Sequence, residues 1–378
     1  MPFRGIRFAS RDLREIITEP YDKIPKELQR SYYERNDRNF IRLNLPMEKD
    51  PYNSAKATLE GWLRSGTLKE DNSPSFYEYV EEFSLFGKKR IRRGMFAVVR
   101  LEDYEGHNIY RHEKTFTGPK ADRMEMLRAT NTDLEPVFFL YDDPDKRVRT
   151  IIDSARKENC SDFIDENGTR HVVNRFEAPE MAEAFRQKKL VIADGHHRYE
   201  SALAYAKERG YEGNTGYVMA VLVDRQDSGL EVLSSHRVVR TGQVPPDQLL
   251  ERLREHFEVK AMNTGEVRDP LRYDIVYYYR DHCYSLTPKS ELISSMSRLE
   301  KLNVSLLNRF VMPEVQDTSD GGAVEFTRWS TDALERVDNG TAQYAFLLRP
   351  TDAETVWEYD NSSGEGAALQ ITKAIKLN

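Results

Sequence analysis

An acid, a glycine, two histidines and an arginine follow one another in the segment Asp194-Gly195-His196-His197-Arg198. A short apolar run with β-branched residues precedes this segment and strong helix formers follow it. The pattern therefore predicts a buried strand, a glycine turn and the start of a helix. A helix N-terminus offers free N–H groups and a partial positive charge, and cationic side chains beside it complete a site for an anion, most naturally phosphate. A glycine at the turn would let the backbone approach the ligand closely.

A second polar cluster, Arg111-His112-Glu113-Lys114, comes after a strand-like stretch at 95–101. Successive residues of a strand point to opposite faces, so His112 and Lys114 would face one side and Glu113 the other. From the residues alone, the better interpretation is an exposed, charged edge strand.

Metal binding has two interpretations. Glu200 lies three and four residues after the two histidines, so it could share a helix face with either of them. Zinc would then need a third ligand, such as His236 or His112, and the arginine beside the histidines disfavours a cation there. We favour a hard cation such as Mg²⁺, which prefers oxygen ligands and would bridge phosphates while bound by Asp194 or Glu113. Glu200 could instead complement the helix dipole in the first turn.

The composition is that of a globular chain without a nucleic-acid or membrane signature. The chain has 378 residues, of which 39% are hydrophobic, and its net charge of −7 argues against a general nucleic-acid binder. The one dense basic run, at 88–93, is expected on the solvated face of a hairpin. Cys160 and Cys283 suggest neither a disulfide framework nor a cysteine zinc site, and they fit a reducing cytoplasm. No stretch resembles a signal core or a transmembrane helix, so we expect a soluble, cytoplasmic protein.

Predicted helices and strands are mixed along the chain. The predicted helices cover 25–36, 52–65, 120–129, 147–158, 181–187, 201–209, 247–256, 299–310 and 331–339. The predicted strands cover 76–83, 91–101, 136–141, 190–192, 217–223, 230–239, 273–279, 283–286 and 344–348. Hairpins together with strand–helix turns predict an α+β (mixed α/β) fold. Pro245-Pro246 marks the clearest domain boundary, and we predict three segments, 1–100, 101–243 and 244–378.

The chain resembles a bacterial and archaeal family catalogued as domain of unknown function 1015. The resemblance lies in segments that occur in the family's order, at 20–24, 39–43, 111–115, 122–123, 136–138 and 193–200. The last segment carries the Asp-Gly-His-His-Arg-Tyr sequence and is the most specific. Ser235-His236-Arg237 is a weaker match, because the family usually has a threonine before the histidine. The C-terminal third matches loosely and departs from the family after Gly364-Glu365, so no role is carried over there.

Gly195-His196-His197-Arg198 is also similar to the Gly-x-x-Arg nucleotide loop of the ParB/sulfiredoxin superfamily, in which free-serine kinases carry an Asp-Gly-His-His-Arg version. The resemblance implies a ParB/sulfiredoxin-like nucleotide-binding core with additional N- and C-terminal α/β segments. It also implies phosphoryl transfer from ATP, or from another nucleotide, to a small hydroxyl compound. Nucleotide or phosphate contacts are then expected from Gly195, His196, His197, Arg198, His112 and Lys114, with Arg111, Glu200 and His236 as further candidates.

The preferred function is an ATP-dependent kinase for a small hydroxyl metabolite, with free L-serine as the leading acceptor. Asp194 would accept the hydroxyl proton or bind Mg²⁺, Glu113 would be the second acid, and Arg198 suits bidentate phosphate contact. Two alternatives use the same pocket: a nucleotide-binding switch with slow or absent hydrolysis, and a phosphatase or other hydrolase. The expected partners are a nucleotide and a small-molecule substrate, without nucleic acid or membrane. The oligomeric state stays open, and His236-Arg237 is otherwise expected as a surface pair at a strand end.

Overall fold

The computed structural model describes residues 1–85, 87–111, 117–231, 233–265, 273–298, 300–315 and 324–351. The chain divides after Leu230 into two compact units, each with its own large sheet. The Asp194–Arg198 segment belongs to the first unit and His236 to the second.

A mixed sheet forms the centre of the first unit. The strands of this unit are β1 (Ile6–Phe8), β2 (Leu68–Glu70), β3 (Phe76–Leu85), β4 (Lys88–Arg100), β5 (Ile109–Tyr110), β6 (Val137–Tyr141), β7 (Lys157–Ile164), β8 (Arg170–Phe176), β9 (Leu190–Asp194) and β10 (Tyr217–Asp224). β1 pairs with β2, and the other strands form one sheet in the order β5-β9-β6-β10-β4-β3-β8-β7. Neighbours are antiparallel except β5–β9 and β6–β10, which are parallel.

Helices cover this sheet and present the candidate turn. The helices of the first unit are α1 (Lys26–Arg35), α2 (Ile41–Asn44), α3 (Pro51–Arg64), α4 (Thr117–Thr130), α5 (Arg147–Ser154), α6 (Met181–Phe185) and α7 (His196–Glu208). α7 buries Tyr199, Ala202, Leu203 and Ala206, which recur at the spacing of one helix face. They pack in one core cluster with residues of β6, β9 and β10, and this packing fixes where the N-terminus of α7 lies.

The second unit contains a separate antiparallel sheet. Its strands are β11 (His236–Val239), β12 (Phe257–Met262), β13 (Ile275–Tyr279), β14 (His282–Pro288), β15 (Val324–Thr327) and β16 (Tyr344–Leu348), in the order β12-β14-β13-β16-β11-β15. Its helices are α8 (Pro246–His256), α9 (Ser290–Ile293), α10 (Asn303–Phe310), α11 (Met312–Val315) and α12 (Ser330–Asp338). The two faces of the sheet carry two core clusters, one of them rich in tyrosine.

The prediction of an α+β fold is confirmed, but several elements differ from the predicted ones, among them β12 and β15, which were not predicted. The helix predicted over 147–158 ends at Ser154, and Lys157 begins β7, because pairing with the unpredicted β8 overrides local helix propensity. Of the described residues in the strand predicted over 230–239, those of β11 form a strand.

The predicted segments 1–100, 101–243 and 244–378 do not coincide with the two compact units. β4 pairs with both β3 and β10, so the sheet of the first unit continues across residue 100. β11 precedes residue 243 but pairs with β15 and β16 in the sheet of the second unit.

Within the ranges that the structure describes, no helix has both the length and the apolar composition needed to cross a membrane.

The basic run at 88–93 lies on the β3–β4 hairpin, as predicted, but Arg92 faces inward. Its guanidinium donates to Glu81 Oε2 from Nε at 2.7 Å and lies 5.6 Å from the ring centroid of Phe138. Both side chains of this cross-strand pair are at most 8% exposed. A buried charge that is paired in this way becomes costly when its partner is removed.

Glu81→Ala should therefore destabilise the protein strongly, by roughly 3–5 kcal/mol, because it leaves the Arg92 cation buried and unpaired. The neighbouring Glu82 is the matched control, since its ion pair with Arg170 is 43% exposed on both sides. Glu82→Ala should cost less than about 1 kcal/mol. Chemical denaturation measures both free energies of unfolding, and similar losses for the two variants would contradict the prediction.

Candidate functional site

The predicted strand, turn and helix are present at the candidate site. β9 ends at Asp194, Gly195 occupies the N-cap position with a φ of +92°, and α7 begins at His196. The pairing of β9 with β6 contains an irregularity, since Phe138 lies opposite Asp194 while Phe139 lies opposite Ile192. Such a bulge changes the direction of side chains at a strand end. The turn therefore begins with an acid at the edge of the ladder.

Arg198 folds back over the turn. Its Nη2 donates to Asp194 Oδ2, its Nη1 donates to the carbonyl oxygen of Pro136, and its Nε lies 3.7 Å from Glu135 Oε2. Burial alone would lower the pKa of Arg198, but the carboxylates of Asp194 and Glu135 hold it above its ordinary value. The guanidinium is thus a shared cation between two acids.

Gly195 is required by this arrangement as well as by its backbone. A Cβ at this position would lie 2.9 Å from Cζ of Arg198, which is too close for ordinary packing. The sequence predicts that a ligand lies close to the backbone of Gly195. In this structure the Arg198 guanidinium occupies that position.

The two histidines differ in their surroundings. His196 is buried, with 2% of its surface exposed, whereas His197 is partly exposed. Burial lowers the pKa of His197 below its ordinary value of 6.5, although the carboxylates of Glu200 and Asp22 act in the opposite direction. His197 is therefore mainly neutral at pH 7 and offers hydrogen bonding rather than a positive charge.

Glu200 forms ion pairs with two residues from other elements. It accepts hydrogen bonds from Arg111 Nη1 and from Lys120 Nζ, both at 3.0 Å, and its side chain is only 13% exposed. Arg111 directly follows β5, Lys120 lies in the first turns of α4, and the Arg111 guanidinium also lies 4.5 Å from the ring centroid of Tyr104. The structure thus brings Arg111 to the predicted turn and uses Glu200 as a link between segments.

Three predicted site residues, His112, Glu113 and Lys114, lie outside the described residues. Their roles stay predictions.

An N-terminal segment joins the site through Glu135. The 3₁₀ turn Tyr21–Lys23 lies beside the residues that precede β6, and the Tyr21 N–H donates to Glu135 Oε1 at 3.0 Å. Asn44 donates to the same oxygen through Nδ2 at 2.6 Å. The Arg123 guanidinium lies 4.1 Å from the ring centroid of Tyr21 and donates to the Asn44 carbonyl oxygen at 3.2 Å. Asp22 lies on this turn and is exposed, and its negative charge acts on His197 and Arg198.

A small cavity of about 30 Å³ lies next to Arg198. It has polar and apolar walls, formed by Arg123, Met126, Leu127, Thr132, Asp133, Leu134, Glu135, Arg198 and Val218. Glu135 Oε2 is buried without a hydrogen-bond donor among the described residues. Burial raises the pKa of Asp133 to about 6. The hydrogen bond that Asp133 accepts from the Met219 N–H acts in the opposite direction, but its effect is smaller. A space of this size and polarity suits one or two water molecules.

Sequence reasoning missed the acids and cations that surround Arg198 and the Tyr21–Lys23 turn, above all Asp22, Arg123 and Glu135. A signal existed for two of them, since 20–24 and 122–123 are segments of the family resemblance. Glu135 directly precedes a third such segment, at 136–138. Nothing in the sequence indicates which of these segments meet in space.

His236 lies in the second unit and is not a surface residue. It is 2% exposed, burial lowers its pKa to about 4, and its Nδ1 accepts from the Leu348 N–H at 3.1 Å. Arg237 is 1% exposed, so the alternative of a surface pair is wrong. Among the described residues, no three His, Cys, Asp or Glu side chains are grouped so that they could bind a metal ion.

Comparison with known proteins identifies a family, and it gives several solved structures that overlap with part of this chain. The profile of a family described as "Protein of unknown function (DUF1015)" matches residues 1–305. A comparison with curated proteins gave no match. Among solved structures, free serine kinase in complex with AMP is 14% identical at a TM-score of 0.37, covering 70% of this chain and 81% of that chain.

Two further solved structures overlap similarly. A conserved hypothetical protein from Pyrococcus furiosus is 14% identical at a TM-score of 0.34, with coverage of 70% and 83%. SbnI with a C-terminal truncation, from Staphylococcus aureus, is 10% identical at a TM-score of 0.36, with coverage of 70% and 76%.

Gly195→Ala should destabilise the protein more than another glycine replacement of the same backbone type. Positive φ alone costs an L-residue about 1–2 kcal/mol, and the new methyl group would also displace the Arg198 guanidinium. Gly168 is the matched control, because its φ is +79° and nothing lies within 4 Å of the position of its Cβ. Denaturant unfolding of both alanine variants tests this comparison, and equal losses would show that Arg198 does not occupy the space above Gly195.

Asp133→Asn should change how stability depends on pH. The folded protein retains the Asp133 proton up to about pH 6, whereas the unfolded chain loses it near the ordinary value of 3.8. The contribution of this group to the free energy of unfolding therefore falls as the pH rises from about 4 to 6, by up to roughly 3 kcal/mol. The stability of wild type relative to the asparagine variant should fall across this window. A constant difference between pH 4 and pH 7 would refute the assignment.

Proposed function

The chain belongs to the DUF1015 family, and we propose that it binds a nucleotide at the Gly195 turn and transfers a phosphoryl group to a small hydroxyl metabolite. The observation that carries the proposal is the meeting of a glycine turn, a helix N-terminus, basic side chains and separate acids in one place. Phosphoryl transfer requires positioning and charge neutralisation more than covalent chemistry from the protein.

The phosphate groups are proposed to bind at the N-terminus of α7. The helix has 13 residues, and its N-cap is a glycine without a side chain to cap it. The helix dipole and first-turn N–H groups favour an anion at this end. Lys120, whose side chain is 35% exposed, adds a cation that Glu200 keeps close to the turn.

Arg198 would bind the phosphate only by giving up contacts that its guanidinium makes in this structure. Its donors are directed to Asp194, Pro136 and Glu135 in this structure. A phosphate that engages the guanidinium must therefore compete with the Asp194 carboxylate. Such an exchange would release Asp194 at the moment that the nucleotide binds.

Asp194 is proposed as the acid on the nucleotide side of the site, with Glu113 as the second acid. The described residues provide no ready-made metal cage, but Mg²⁺ is usually bound by one or two carboxylates together with the phosphates of a nucleotide. Asp194, at the strand end and 33% exposed, fits such a partial ligand set. When bound, Mg²⁺ supplies neutralisation of phosphate charge.

Free L-serine is the leading acceptor, as the resemblance of the turn to free-serine kinases implies. A nucleotide-binding switch is the second candidate, because the Arg198–Asp194 pair offers an internal contact that a phosphate could replace. The two candidates differ in whether a phosphorylated product forms.

Asp194→Asn should separate catalysis from folding. Wild-type protein incubated with ATP, Mg²⁺ and a metabolite pool containing L-serine should yield a product with one added phosphoryl group, detected by mass. Loss of the Asp194 charge should reduce turnover by about 100-fold or more.

Asp142→Asn is the matched control for this test. Asp142 follows β6, is 31% exposed and pairs with Arg225 at 2.8 Å, so it resembles Asp194 in exposure, in its position at a strand end and in its arginine partner, but it does not lie at the Gly195 turn. It should retain full turnover. Full activity of Asp194→Asn would overturn the proposed mechanism. If the wild-type protein binds a nucleotide but forms no phosphorylated product, the result would favour the second candidate, a nucleotide-binding switch.

A further inference from the structure

Asp22 differs from the other acids at the turn because its carboxylate is exposed and uncommitted. Within the described part of the chain, no hydrogen bond or ion pair involves its side chain. Asp194, in contrast, is paired with Arg198, and Glu200 is paired with Arg111 and Lys120. A proton acceptor needs a carboxylate that a substrate hydroxyl can reach.

The fold fixes the turn that carries Asp22. Tyr21 is held from two sides, by the hydrogen bond of its N–H to Glu135 Oε1 at 3.0 Å and by the Arg123 guanidinium, 4.1 Å from the centroid of its ring. Glu135 also lies 3.7 Å from Arg198 Nε. One carboxylate therefore joins the Tyr21–Lys23 turn to the Gly195 turn.

Asp22 lies close enough to the start of α7 to act electrostatically on two of its side chains. Its negative charge acts on His197 and on Arg198, and in both cases it favours the protonated form. Among the described residues, the other charges that act on His197 are those of Glu200, Lys120 and Arg198. Asp22 thus approaches the start of α7 from a different segment of the chain than Asp194.

We infer, on the basis of the proposed phosphoryl transfer, that Asp22 is the catalytic carboxylate that accepts the proton of the acceptor hydroxyl. The hydroxyl oxygen forms a bond to the γ-phosphorus of ATP while its proton passes to Asp22. The bond from the γ-phosphorus to the bridging oxygen breaks, and its electron pair stays on the nucleoside diphosphate. Asp194 is then left to the phosphate side, paired with Arg198 or with Mg²⁺.

The test compares Asp22→Asn with Asp37→Asn. Asp37 is an exposed aspartate of the same N-terminal region that pairs with Arg42 at 3.5 Å and has no place in the site. Asp22→Asn should lower kcat by about 100-fold or more, with unchanged affinity for ATP, whereas Asp37→Asn should match wild type. Asp22→Glu, which keeps the carboxylate, should recover part of the turnover. Because Asp22 is exposed, thermal unfolding of both asparagine variants should match wild type.

Full turnover of Asp22→Asn in an active preparation would overturn this inference and leave the proposed kinase intact. Absence of transfer by wild type to every acceptor would overturn the proposed function, and the proton-acceptor role with it.

The placement of Asp22 has its own readout, the pKa of His197 followed by NMR. Removing the Asp22 charge should lower that pKa, because a carboxylate that stabilises the imidazolium is lost. Asp37→Asn should leave it unchanged. An unaltered His197 titration in Asp22→Asn would show that Asp22 does not face the turn and would overturn the inference without any activity measurement.

Discussion

Arg198 shares its guanidinium between the carboxylates of Asp194 and Glu135 and the carbonyl oxygen of Pro136, and the geometry of the site depends on this sharing. A buried guanidinium is tolerated only when acids and hydrogen-bond acceptors compensate its desolvation. The same contact requires a glycine at 195, where a Cβ would meet the guanidinium at 2.9 Å. The strand end, the residues before β6 and the first turn of α7 are therefore held together by one cation.

Glu135 extends this connection to the N-terminal segment. One of its oxygens accepts from the Tyr21 N–H and from Asn44, and the other faces Arg198. Segments that are more than a hundred residues apart in sequence thus meet at two neighbouring side chains. Hydrogen bonds to a carboxylate are among the stronger ones in proteins. Removal of the Glu135 carboxylate would therefore weaken the contacts among several segments at once.

The local part of the site could be read from the sequence, and the long-range part could not. The strand, glycine turn and helix around Gly195 follow from residue order, since apolar periodicity and turn residues act over a few positions. Glu200 shows why sequence spacing is not enough. Its position within the helix suggests a metal ligand or a group that complements the helix dipole. Its observed partners, Arg111 and Lys120, belong to other segments of the chain, which spacing within one helix does not reveal. The same limit explains β7, whose strand state depends on pairing with β8 and not on its own propensity.

Environment gives the acids of the site different chemistry. Asp194 is paired with Arg198 in this structure, and once a phosphate took over the guanidinium, a cation such as Mg²⁺ would have to offset the repulsion between the carboxylate and the phosphates. Asp22 is exposed and has no such partner among the described residues. Enzymes commonly separate the roles of two carboxylates by giving them unlike surroundings. Glu135 contacts both the backbone of the turn that carries Asp22 and the guanidinium that pairs with Asp194. A nucleotide bound at the start of α7 would therefore find one acid on the side of its phosphates and a second available to the acceptor.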